Sequence, residues 1–600
     1  MKKQILICCG TGCRANGSML VVEALQQEVQ AMHVEADVIA EVKTTGCNGF
    51  CENGPIVKIM PDNIVYYKVK KEDAHDIIEK TVQQNEPVER LLYKDDTGKR
   101  VLSQEENPFY AHQHKIALSH IGTIDPENLD DYLEVGGYKA LKKALSQTPE
   151  EIITTIEQSG LRGRGGAGFP TGKKWRTAAA YDNFPKYVVC NGDEGDPGAF
   201  MDRSILEGDP HVVIEGLAIA AIAVGAEEGF FYIRDEYDLA VQHVKKAILD
   251  AEKKGIIGMS VLGSKHKLKL SVVRGGGAFV CGESTALMAS IEGRVGEPRA
   301  KYIRSVQRGL WNQPTVLNNV ETLANIPEII LNGGTHFAEL GTKGGSGTKV
   351  FALVGKVKRT GLVEVPMGTT LRHLIYDIGD GILGNRPFKA VQTGGPSGGC
   401  IPESMLDLPV DFDSLASYGA MMGSGGMIVM DDRSCMVEVA RYYTNFLCEE
   451  SCGKCTPCRE GLRRMLEILT DICEGRGQEG DIELLERLGH VLQESSLCSL
   501  GKSAPNPVLT TIKYFREEYV AHIKEKRCPA GVCKKLTQYQ IVKEKCIGCG
   551  MCAKSCPVNA IAGEKKEPHT IDASLCITCG SCREACKFNA VISVGRGQEA

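Results

Sequence analysis

Eight cysteines in the last 55 residues of this 600-residue chain have the spacing of iron–sulfur ligands. CIGCGMCAKSCPVNA and CITCGSCREACKFNA each contain C-x2-C-x2-C-x3-C. In such a doubled run, three cysteines of one copy and the fourth of the other hold one [4Fe–4S] cluster. A zinc ribbon, the alternative, uses paired C-x2-C knuckles. We therefore predict two crossed clusters, one on Cys546, Cys549, Cys552 and Cys586, the other on Cys576, Cys579, Cys582 and Cys556.

Two further cysteine sets have spacings that suit iron–sulfur clusters. ESCGKCTPCREG, with a distant cysteine in SSLCSLG, predicts a [4Fe–4S] cluster on Cys452, Cys455, Cys458 and Cys498. A structural zinc site is the alternative. Near the N-terminus, CCGTGC and CNGFC resemble the thioredoxin-like [2Fe–2S] module, with the ligands Cys8, Cys13, Cys47 and Cys51. A redox-active disulfide is the alternative there, although these segments contain no C-x-x-C.

Three more soft ligands, His522, Cys528 and Cys533, lie in HIKEKRCPAGVC. With one more thiolate, Cys448 or Cys473, they would form a tetrahedral zinc site or hold a cluster. The remaining cysteines lack ligand spacing. We expect buried free thiols at Cys190, Cys281, Cys400 and Cys435, and we expect Cys9 to lie beside the [2Fe–2S] ligands without binding the cluster.

Four loops combine glycine, carboxylate and amide residues between apolar segments. GLRGRGGAGFPTGKKW (160–175) lets backbone N–H groups approach a phosphate or a flat ring, because glycine has no side chain. NGDEGDPGAFMDR (191–203) follows the strand-like YVVC, where open α/β sheets bind ligands. GGGAFVCGESTAL (275–287) opens a helix that favours an anion, and NQPTVLNNVET (312–322) adds paired amides. Taken singly, each loop could be an ordinary turn and each carboxylate a helix cap.

The composition indicates a folded protein of several domains, since 42% hydrophobic residues suffice for several cores. The 76 acidic and 70 basic side chains leave no basic surplus for nucleic acid or an anionic membrane. Twenty-five cysteines, clustered at ligand spacings, favour a reducing compartment. MKKQILICCGTGC is too briefly apolar for a secretory signal, and GLAIAAIAVGA is about half a membrane span. We therefore expect a cytoplasmic protein without a membrane segment.

In chain order, GLRGRGGAGFPTGKKW, NGDEGDPGAF, CGEST, NNVET and ESCGKCTPCREG resemble the FMN- and NADH-binding flavoprotein subunit of respiratory complex I and its soluble relatives. The resemblance covers about residues 110 to 510. With its cysteine-rich ends, the chain is most similar to the beta subunit of NAD-dependent, electron-bifurcating [FeFe]-hydrogenases. The resemblance implies FMN, NAD(H), one [2Fe–2S] cluster and three [4Fe–4S] clusters. It also implies that the cluster in ESCGKCTPCREG lies next to the flavin as its first electron acceptor.

The resemblance also implies roles for residues at matching positions. FMN would be held by Gly163, Arg164, Gly165, Gly166, Lys174, Asn191, Asp193 and Glu194, with Asn318, Asn319 and Thr322 near its ring or phosphate. The dinucleotide would face Gly166, Phe169, Gly282 and Glu283. We expect Glu194 and Glu283 to tune and orient rather than to transfer protons. Two departures are Phe279 in place of tyrosine and Ser284 in place of a second glutamate. Loss of that carboxylate would weaken rejection of a 2′-phosphate, so NADP(H) stays open beside NAD(H).

The fold class that follows is a multidomain α/β and α+β protein. A thioredoxin-like [2Fe–2S] domain spans 1–95, an FMN- and NAD-binding α/β core 96–335, and a β-grasp module of the soluble-ligand-binding type 336–435. A helical bundle with a [4Fe–4S] cluster and a candidate zinc site spans 436–534. A ferredoxin-like domain with two [4Fe–4S] clusters spans 535–600.

Three functions compete. The one we expect is hydride transfer between NAD(H) and FMN in a bifurcating hydrogenase, with electrons passing through clusters to or from ferredoxin. Its partners would be a hydrogenase-type catalytic subunit, since this chain lacks an evident hydrogenase cysteine pattern, and a small thioredoxin-like [2Fe–2S] subunit. The second is the same flavoprotein in a formate dehydrogenase, a ferredoxin:NADP oxidoreductase or complex I. The third, a non-catalytic electron-transfer scaffold, is disfavoured by the complete flavin loops.

Overall fold

The computed structural model describes residues 2–32, 39–95, 97–300 and 302–595. The chain divides into two compact units. The first comprises Met1–Asn385, Thr393–Gly395 and Ser404–Val429, and the second comprises Arg386–Gln392, Pro396–Glu403 and Met430–Ala600. Among the described residues, no helix is both long enough and apolar enough to cross a membrane.

The first unit begins with a four-stranded sheet and its helices. The strands are β1 (Lys2–Cys8), β2 (Ile39–Thr45), β3 (Val57–Met60) and β4 (Ile64–Tyr66). Their order is β2-β1-β3-β4; β1 and β2 are parallel, and the other neighbours are antiparallel. The helices are α1 (Thr11–Ala15), α2 (Ser18–Met32) and α3 (Ala74–Asp76), which continues as a π-helix over Ile77–Gln83. Alternate apolar residues of β1 and β3, such as Ile5, Ile7 and Ile59, are fully buried in the same core as Leu25 of α2.

A parallel sheet forms the centre of the first unit. Its strands are β7 (Tyr187–Gly192), β8 (Glu228–Arg234), β9 (Lys269–Gly275) and β10 (Thr315–Asn319). A separate hairpin of β5 (Tyr93–Lys94) and β6 (Arg100–Val101) precedes them in the chain. Their order is β10-β7-β8-β9. The chain leaves β7 towards β8 and returns on the opposite side of β7 as β10. This reversal creates a switch point between β7 and β10, where ligands of open α/β sheets bind outside the carboxyl ends.

Helices complete the core around this sheet. They are α4 (Pro108–Ala111), α5 (Leu129–Glu134), α6 (Lys139–Leu145), α7 (Pro149–Gln158), α8 (Thr171–Ala179), α9 (Met201–Gly208), α10 (Pro210–Val224), α11 (Asp238–Lys253), α12 (Ser284–Ile291), α13 (Val320–Ala324), α14 (Ile326–Asn332) and α15 (Gly334–Glu339). The apolar run GLAIAAIAVGA lies largely in α10, which is buried along its entire length. A helix that is apolar on all sides belongs inside a large core, and Gly225 (φ +76°) ends it in the left-handed conformation.

A β-rich segment follows the parallel sheet. Its elements are β11 (Gly341–Thr342), β12 (Gly345–Ser346), β13 (Thr348–Gly355), β14 (Gly361–Pro366), a π-helix over His373–Ile378, β15 (Phe388–Thr393), β16 (Gly399–Pro402), α16 (Phe412–Ser417) and β17 (Gly426–Asp431). In the first unit, β13 pairs antiparallel with β14 and parallel with the start of β17. In the second unit, β15 lies next to β16.

The second unit continues with a helical bundle and an iron–sulfur-type tail. The bundle contains α17 (Met436–Glu449), α18 (Thr456–Cys473), α19 (Asp481–Ser495), α20 (Ser499–Ser503) and α21 (Asn506–Ile523). The tail contains β18 (Gln538–Ile541), α22 (Met551–Lys554), β19 (Ile561–Ala562), β20 (Thr570–Ile571), α23 (Ser581–Ala585) and β21 (Val591–Val594). Both short tail helices begin after a glycine of positive φ, Gly550 (75°) and Gly580 (79°). The two cysteine motifs therefore start their helices in equivalent conformations.

Candidate functional sites

The amide side chains predicted to surround FMN meet at the switch point of the parallel sheet. β7 carries Asn191 near its carboxyl end and β10 ends in Asn319, and the two are partners in the sheet register. Asn318 is buried, and its Oδ1 accepts a hydrogen bond from Trp175 Nε1 at 3.0 Å. Its Nδ2 has no hydrogen-bond partner among the described residues. A buried donor without a partner is costly, so this position fits a polar ligand atom.

The glycine loop lies directly against these amides. Gly163 N donates to the Phe169 carbonyl at 2.9 Å, and Gly166 forms a β-bridge with Gly423. A Cβ at Gly165 would lie 2.9 Å from the Asn319 Cβ, closer than real Cβ contacts. Gly166 has a φ of +122°, which favours glycine. The loop therefore presents bare backbone beside the amides, and this cradle fits a flat ring or a phosphate.

Arg164 fastens the glycine loop to its surroundings. The residue is fully buried, and its N–H donates to Thr322 Oγ1 at 2.8 Å. Its guanidinium donates to the carbonyls of Arg162 and Ser346, at 3.1 and 2.5 Å. Burial lowers the pKa of Arg164 to about 10. The side chain thus anchors the loop within the protein, and the structure places Arg164 beside Thr322.

Lys174, in α8, offers a cation to this site. Its Nζ donates to the Leu317 carbonyl of β10 at 2.7 Å. Desolvation lowers its pKa to about 8. A desolvated ammonium gains from an anionic partner, so Lys174 fits a phosphate group.

The two glutamates expected to tune the site each cap a helix. Glu194 accepts hydrogen bonds from the backbone N–H groups of Asp202 and Arg203, both at 3.1 Å, in the first turn of α9. Glu283 accepts from two N–H groups in the first turn of α12, at 2.8 and 3.1 Å. Burial raises the pKa of Glu194, and the two N–H groups oppose that shift. Glu283 is therefore the N-cap residue of α12, the alternative considered above, whereas Glu194 binds the first turn of α9 from the preceding loop. Any orienting role of the two residues acts through α9 and α12.

The residues expected to face the dinucleotide lie on the glycine loop and on the loop before α12. Asn191 Nδ2 donates to the Gly282 carbonyl at 3.1 Å, and a Cβ at Gly282 would lie 3.3 Å from the Asp193 carbonyl. The CGES loop is thus held beside the end of β7. Phe169 is 36% exposed, which leaves a ring available for stacking. Ser284 Oγ donates to Glu283 Oε1 at 3.1 Å.

Sequence reasoning missed a buried charge network next to Asn319. Asn319 Nδ2 donates to Asp202 Oδ2 at 2.5 Å, and the buried Lys349 ammonium donates to the buried Glu321 carboxylate. Burial raises the pKa of both Asp202 and Glu321, and the charge of Lys349 opposes the shift in each. Asp202 and Glu321 belong to segments that the sequence singles out, NGDEGDPGAFMDR and NQPTVLNNVET, and they lie in α9 and α13. Lys349 lies in β13 with no local motif, so only packing identifies it.

The four predicted [2Fe–2S] ligands converge in the N-terminal domain. Cys8 Sγ and Cys13 Sγ lie 3.1 Å apart. The thiol of Cys47 interacts with those of Cys51 and Cys8, which together lower the pKa of Cys47. Cys9 is buried in the apolar core of the domain instead, where burial raises its pKa to about 11.

The cysteines of the helical bundle also interact as predicted. Cys458, in the first turn of α18, interacts electrostatically with Cys455, Cys498 and Cys452. Burial raises the pKa of Cys458 to about 11. A Cβ at Gly501 would lie 3.1 Å from the Cys458 Cβ, so α20, preceded by Cys498, packs closely on α18. The distant fourth cysteine is thus brought to the other three.

Two cavities in the tail each collect three cysteines of one repeat and the fourth of the other. The cysteines that line the first cavity are Cys546, Cys549, Cys552 and Cys586. The cysteines that line the second are Cys576, Cys579, Cys582 and Cys556. Apolar side chains such as Ile541 and Ile571 complete the walls. Four thiols around one cavity fit a [4Fe–4S] cluster, and both crossed sets are the predicted ones.

A buried tetrad forms around His522. The ligand atoms of Cys435, His522, Cys528 and Cys533 all lie within 4.8 Å of one another. His522 Nε2 is 3.4 Å from Cys435 Sγ and 3.3 Å from Cys533 Sγ. His522 Nδ1 lies 2.7 Å from the Glu518 carbonyl, so Nδ1 donates and Nε2 offers a lone pair. Three thiols and one imidazole fit tetrahedral zinc.

Cys435 takes the fourth place in this tetrad, where the sequence predicts Cys448 or Cys473. Cys435 precedes α17 and lies 87 residues before His522, so no local spacing connects them. Cys448 lies at the other end of α17, where its thiol interacts with Cys458. Cys473, the other candidate, neighbours the site outside the tetrad. Cys435, predicted to be a buried free thiol, is buried and lies beside His522 because packing, and not spacing, brings the two together.

Family models match the chain in four regions. The Nuo51 FMN-binding domain matches residues 156–328, and the iron–sulfur binding region of NADH-ubiquinone oxidoreductase-F matches 438–522. The thioredoxin-like [2Fe–2S] ferredoxin matches 1–82, and the 4Fe–4S binding domain matches 539–562 and 569–592. These matches confirm the predicted family, the thioredoxin-like N-terminal domain and the ferredoxin-like tail.

Relatives cover most of the chain. It is 51% identical to HndC of Solidesulfovibrio fructosivorans, a subunit of an NADP-reducing hydrogenase, over 457 residues, which are 76% of this chain and 93% of HndC. It is 46% identical to one NADH-quinone oxidoreductase-F protein of Rhizobium meliloti (strain 1021) over 415 residues, 69% of this chain and 99% of that protein. Its structure is similar to the NAD+-reducing [NiFe]-hydrogenase in the H2-reduced state, with a TM-score of 0.62, 28% identity and coverage of 87% of this chain and 84% of that chain. The chain therefore belongs to the FMN- and iron–sulfur-binding NADH-quinone oxidoreductase-F family, and it is a subunit of an NAD(P)-dependent oxidoreductase.

Proposed function

We propose that this chain is the flavoprotein subunit of an electron-bifurcating hydrogenase, where it links NAD(H), ferredoxin and a hydrogenase-type catalytic subunit. One observation carries the NAD(H)-oxidising part: the glycine loop, Asn191 and Asn319 meet at the switch point of the parallel sheet. This crevice is where an open α/β sheet binds nucleotides. The 51% identity to HndC, a hydrogenase subunit by name, favours hydrogenase chemistry for the partner.

The chemistry that bound FMN supplies is the conversion between hydride transfer with NAD(H) and single-electron transfer. Gly163, Gly165 and Gly166 would border the flavin with backbone only, and the Lys174 ammonium would face its phosphate. The Asn318 amide, whose Nδ2 has no protein partner among the described residues, would donate to the ligand.

In this proposal the protein groups of the site bind and orient the ligands. Glu194 is engaged by the N–H groups of α9 and Glu283 by those of α12. Asn191 holds the CGES loop through the Gly282 carbonyl. Catalysis in this proposal therefore depends on stacking and positioning.

Bound flavin and NADH-dependent reduction of viologen test the enzyme proposal. We expect the purified chain to retain about one FMN, as a site that uses this cofactor requires, and to reduce benzyl viologen with NADH. A protein that binds no FMN and transfers no electrons from either NADH or NADPH would favour the non-catalytic scaffold.

Ser284 bears on the choice between NADH and NADPH. We propose NAD(H) as the main substrate and NADP(H) as the alternative. The name of HndC, a subunit of an NADP-reducing hydrogenase, supports keeping NADP(H) as the alternative. Ser284 stands next to the Glu283 cap without adding a second carboxylate. Ser284→Glu should lower NADPH turnover relative to NADH, because a carboxylate repels the 2′-phosphate. Equal NADPH-to-NADH ratios in both proteins would refute this role.

We propose one [2Fe–2S] cluster, three [4Fe–4S] clusters and one zinc ion per chain. The four clusters together contain about 14 iron atoms. The tail would exchange electrons with ferredoxin, and a small thioredoxin-like [2Fe–2S] subunit would join the hydrogenase-type subunit in a cytoplasmic complex. The 46% identity to an NADH-quinone oxidoreductase-F protein keeps complex I as the alternative, beside formate dehydrogenase and ferredoxin:NADP oxidoreductase. Native purification with identification of the co-purifying subunits distinguishes these assemblies.

A further inference from the structure

Helix α9 of the flavin core contacts the loops that carry the N-terminal cysteines. Glu207, near the end of α9, accepts a hydrogen bond from Thr11 N at 2.9 Å and another from Thr11 Oγ1. Thr11 lies inside the CCGTGC motif. A Cβ at Gly10 would lie 3.0 Å from the Cys47 Cβ and 3.3 Å from Glu207 Oε2. The Glu207 carboxylate is therefore next to both cysteine loops, although it belongs to another domain.

Backbone contacts lock the same loops to the core. A Cβ at Gly46 would lie 2.3 Å from the Gly208 Cα, and a Cβ at Gly361 would lie 2.0 Å from the Gly49 carbonyl oxygen. Leu362 N donates to that same carbonyl at 2.8 Å. Contacts this close leave no room for side chains, so the loop that contains Cys47 and Cys51 is fixed to the core on two sides.

Arg203 of α9 places a cation near the N-terminal cysteine loops. Its Nε lies 3.8 Å from Glu207 Oε1, and its side chain is 27% exposed. The guanidinium stacks near the rings of Phe200 and Tyr237, each at 5.5 Å. Because Glu207 also binds Thr11 of the CCGTGC loop, the contact between Arg203 and Glu207 sets the Arg203 cation close to the N-terminal cysteine loops. None of the predicted cluster ligands lies near Arg203 in sequence, so only the fold creates this proximity.

The other end of α9 belongs to the flavin site. Its first N–H groups bind Glu194, and Asp202 accepts from Asn319. The helix has eight residues, or about 12 Å at the usual rise. One short rigid element therefore joins the predicted FMN site to the predicted [2Fe–2S] site.

We propose that α9 supplies two positioning residues to the N-terminal iron–sulfur site: Glu207 holds the CCGTGC loop, and Arg203 raises the reduction potential of the cluster through its charge. The inference rests on the proposed [2Fe–2S] cluster at Cys8, Cys13, Cys47 and Cys51. Reduction of such a cluster adds one electron and one negative charge, so oxidation of one NADH to NAD+ and a proton supplies the electrons for two such reductions. A nearby cation stabilises the reduced form.

Redox titration followed by electron paramagnetic resonance tests Arg203 in the full-length holoprotein. Arg203→Gln should lower the equilibrium constant for reduction of the [2Fe–2S] signal about tenfold, as expected for loss of a nearby charge. Arg203→Lys keeps the positive charge, so its equilibrium constant for reduction should be close to that of the unmodified protein. Arg176→Gln is the matched control, because Arg176 pairs with Glu150 and Glu157 on α7. A change below about twofold for Arg203→Gln would overturn the charge role.

Hydrogen exchange and a double-mutant cycle test Glu207. Glu207→Gln and Thr11→Val, which alter opposite sides of one contact, should each raise exchange in residues 9–13 at least about fivefold. The double variant should add little to either. Full additivity, or unchanged exchange in both single variants, would overturn the positioning role. An unmodified protein without any [2Fe–2S] signal would instead refute the proposed cluster itself, and this inference with it.

Discussion

Some cysteines of this chain are close in sequence to the residues that they contact, and others are brought to them only by folding. Cys452, Cys455 and Cys458 belong to one motif, and α18 begins among them. Cys435 shares no motif with His522, yet its sulfur lies 3.4 Å from the imidazole. Residue type and spacing therefore identify the first group, whereas distance in the folded chain identifies the second.

Cys435→Ser should remove the zinc of the tetrad. We expect loss of about one zinc ion per chain and a decrease of about 5 °C or more in the unfolding temperature, because a structural site stabilises the fold directly. Zinc analysis and calorimetry measure the two effects. Cys448→Ser is the matched control and should keep the metal. Loss of zinc from Cys448→Ser but not from Cys435→Ser would contradict the assignment.

Lys174 should make FMN affinity depend on pH. Its pKa of about 8 is below the ordinary value, so the folded protein loses the proton between pH 8 and 10.5 while the unfolded chain keeps it. Stability therefore rises with pH in that window, whereas phosphate binding requires the charged form. FMN affinity should be constant below pH 8 and fall up to about tenfold per unit above it.

Titration of the apoprotein with FMN between pH 6.5 and 9.5 measures this dependence. Lys174→Met should weaken binding and abolish the decline. The neighbouring exposed Lys173, changed to Met, should leave the profile unaltered. If the FMN affinity of the unmodified protein does not change with pH, a contact between Lys174 and the FMN phosphate is contradicted.

At the scale of elements, helix ends and strand ends set the sites. β7 and β10 deliver Asn191 and Asn319 side by side because they are parallel neighbours. α9 and α12 receive Glu194 and Glu283 at their first turns. In the tail, α22 and α23 repeat one conformation, which brings each fourth cysteine to the opposite cavity.

Iron content of paired variants tests the crossed ligation. Cys549→Ala with Cys586→Ala alters one cavity and should cost about four iron atoms per chain. Cys549→Ala with Cys556→Ala alters both cavities and should cost about eight. The reverse ranking of the two double variants would show that each repeat binds its own cluster.

At the scale of the whole molecule, a nucleotide-binding sheet is joined in one chain to cysteine sites in several domains. The parallel sheet and the thioredoxin-like domain lie in the first compact unit, and the helical bundle and the tail lie in the second. Such a chain can accept electrons at one site and release them at others. Disabling one cysteine site at a time should therefore show what each site contributes to electron transfer.

Cys549→Ala combined with Cys579→Ala should disable both tail clusters. NADH-dependent reduction of viologen should stay within about twofold of the unmodified rate, because the flavin crevice is untouched. Transfer to or from ferredoxin should fall at least about tenfold. Parallel assays with the two carriers measure the difference, and an equal loss in both would refute a separate role for the tail.

Sequence reasoning succeeded where donors are neighbours along the chain. The glycine loop, the CGES turn and the three cysteine triplets at cluster spacing are all short motifs in the sequence. Sequence reasoning gave no signal for Lys349 or for the place of Cys435 in the tetrad, because each lies far in sequence from its partner. It also left the role of Glu194 open, since the sequence does not show which backbone N–H groups this carboxylate binds.

The sequence alone indicates the family, and it predicts the cluster ligands and the flavin loops, because ligand spacing and loop composition are local properties. The folded structure is needed to show that Cys435 joins the tetrad, that Asp202, Glu321 and Lys349 lie next to Asn319, and that α9 reaches the N-terminal cysteines. These relations depend on how α17 packs on α21 and how domains meet at glycines. Packing brings together residues that no spacing rule connects, since the shape of the core, not distance along the chain, sets their separation.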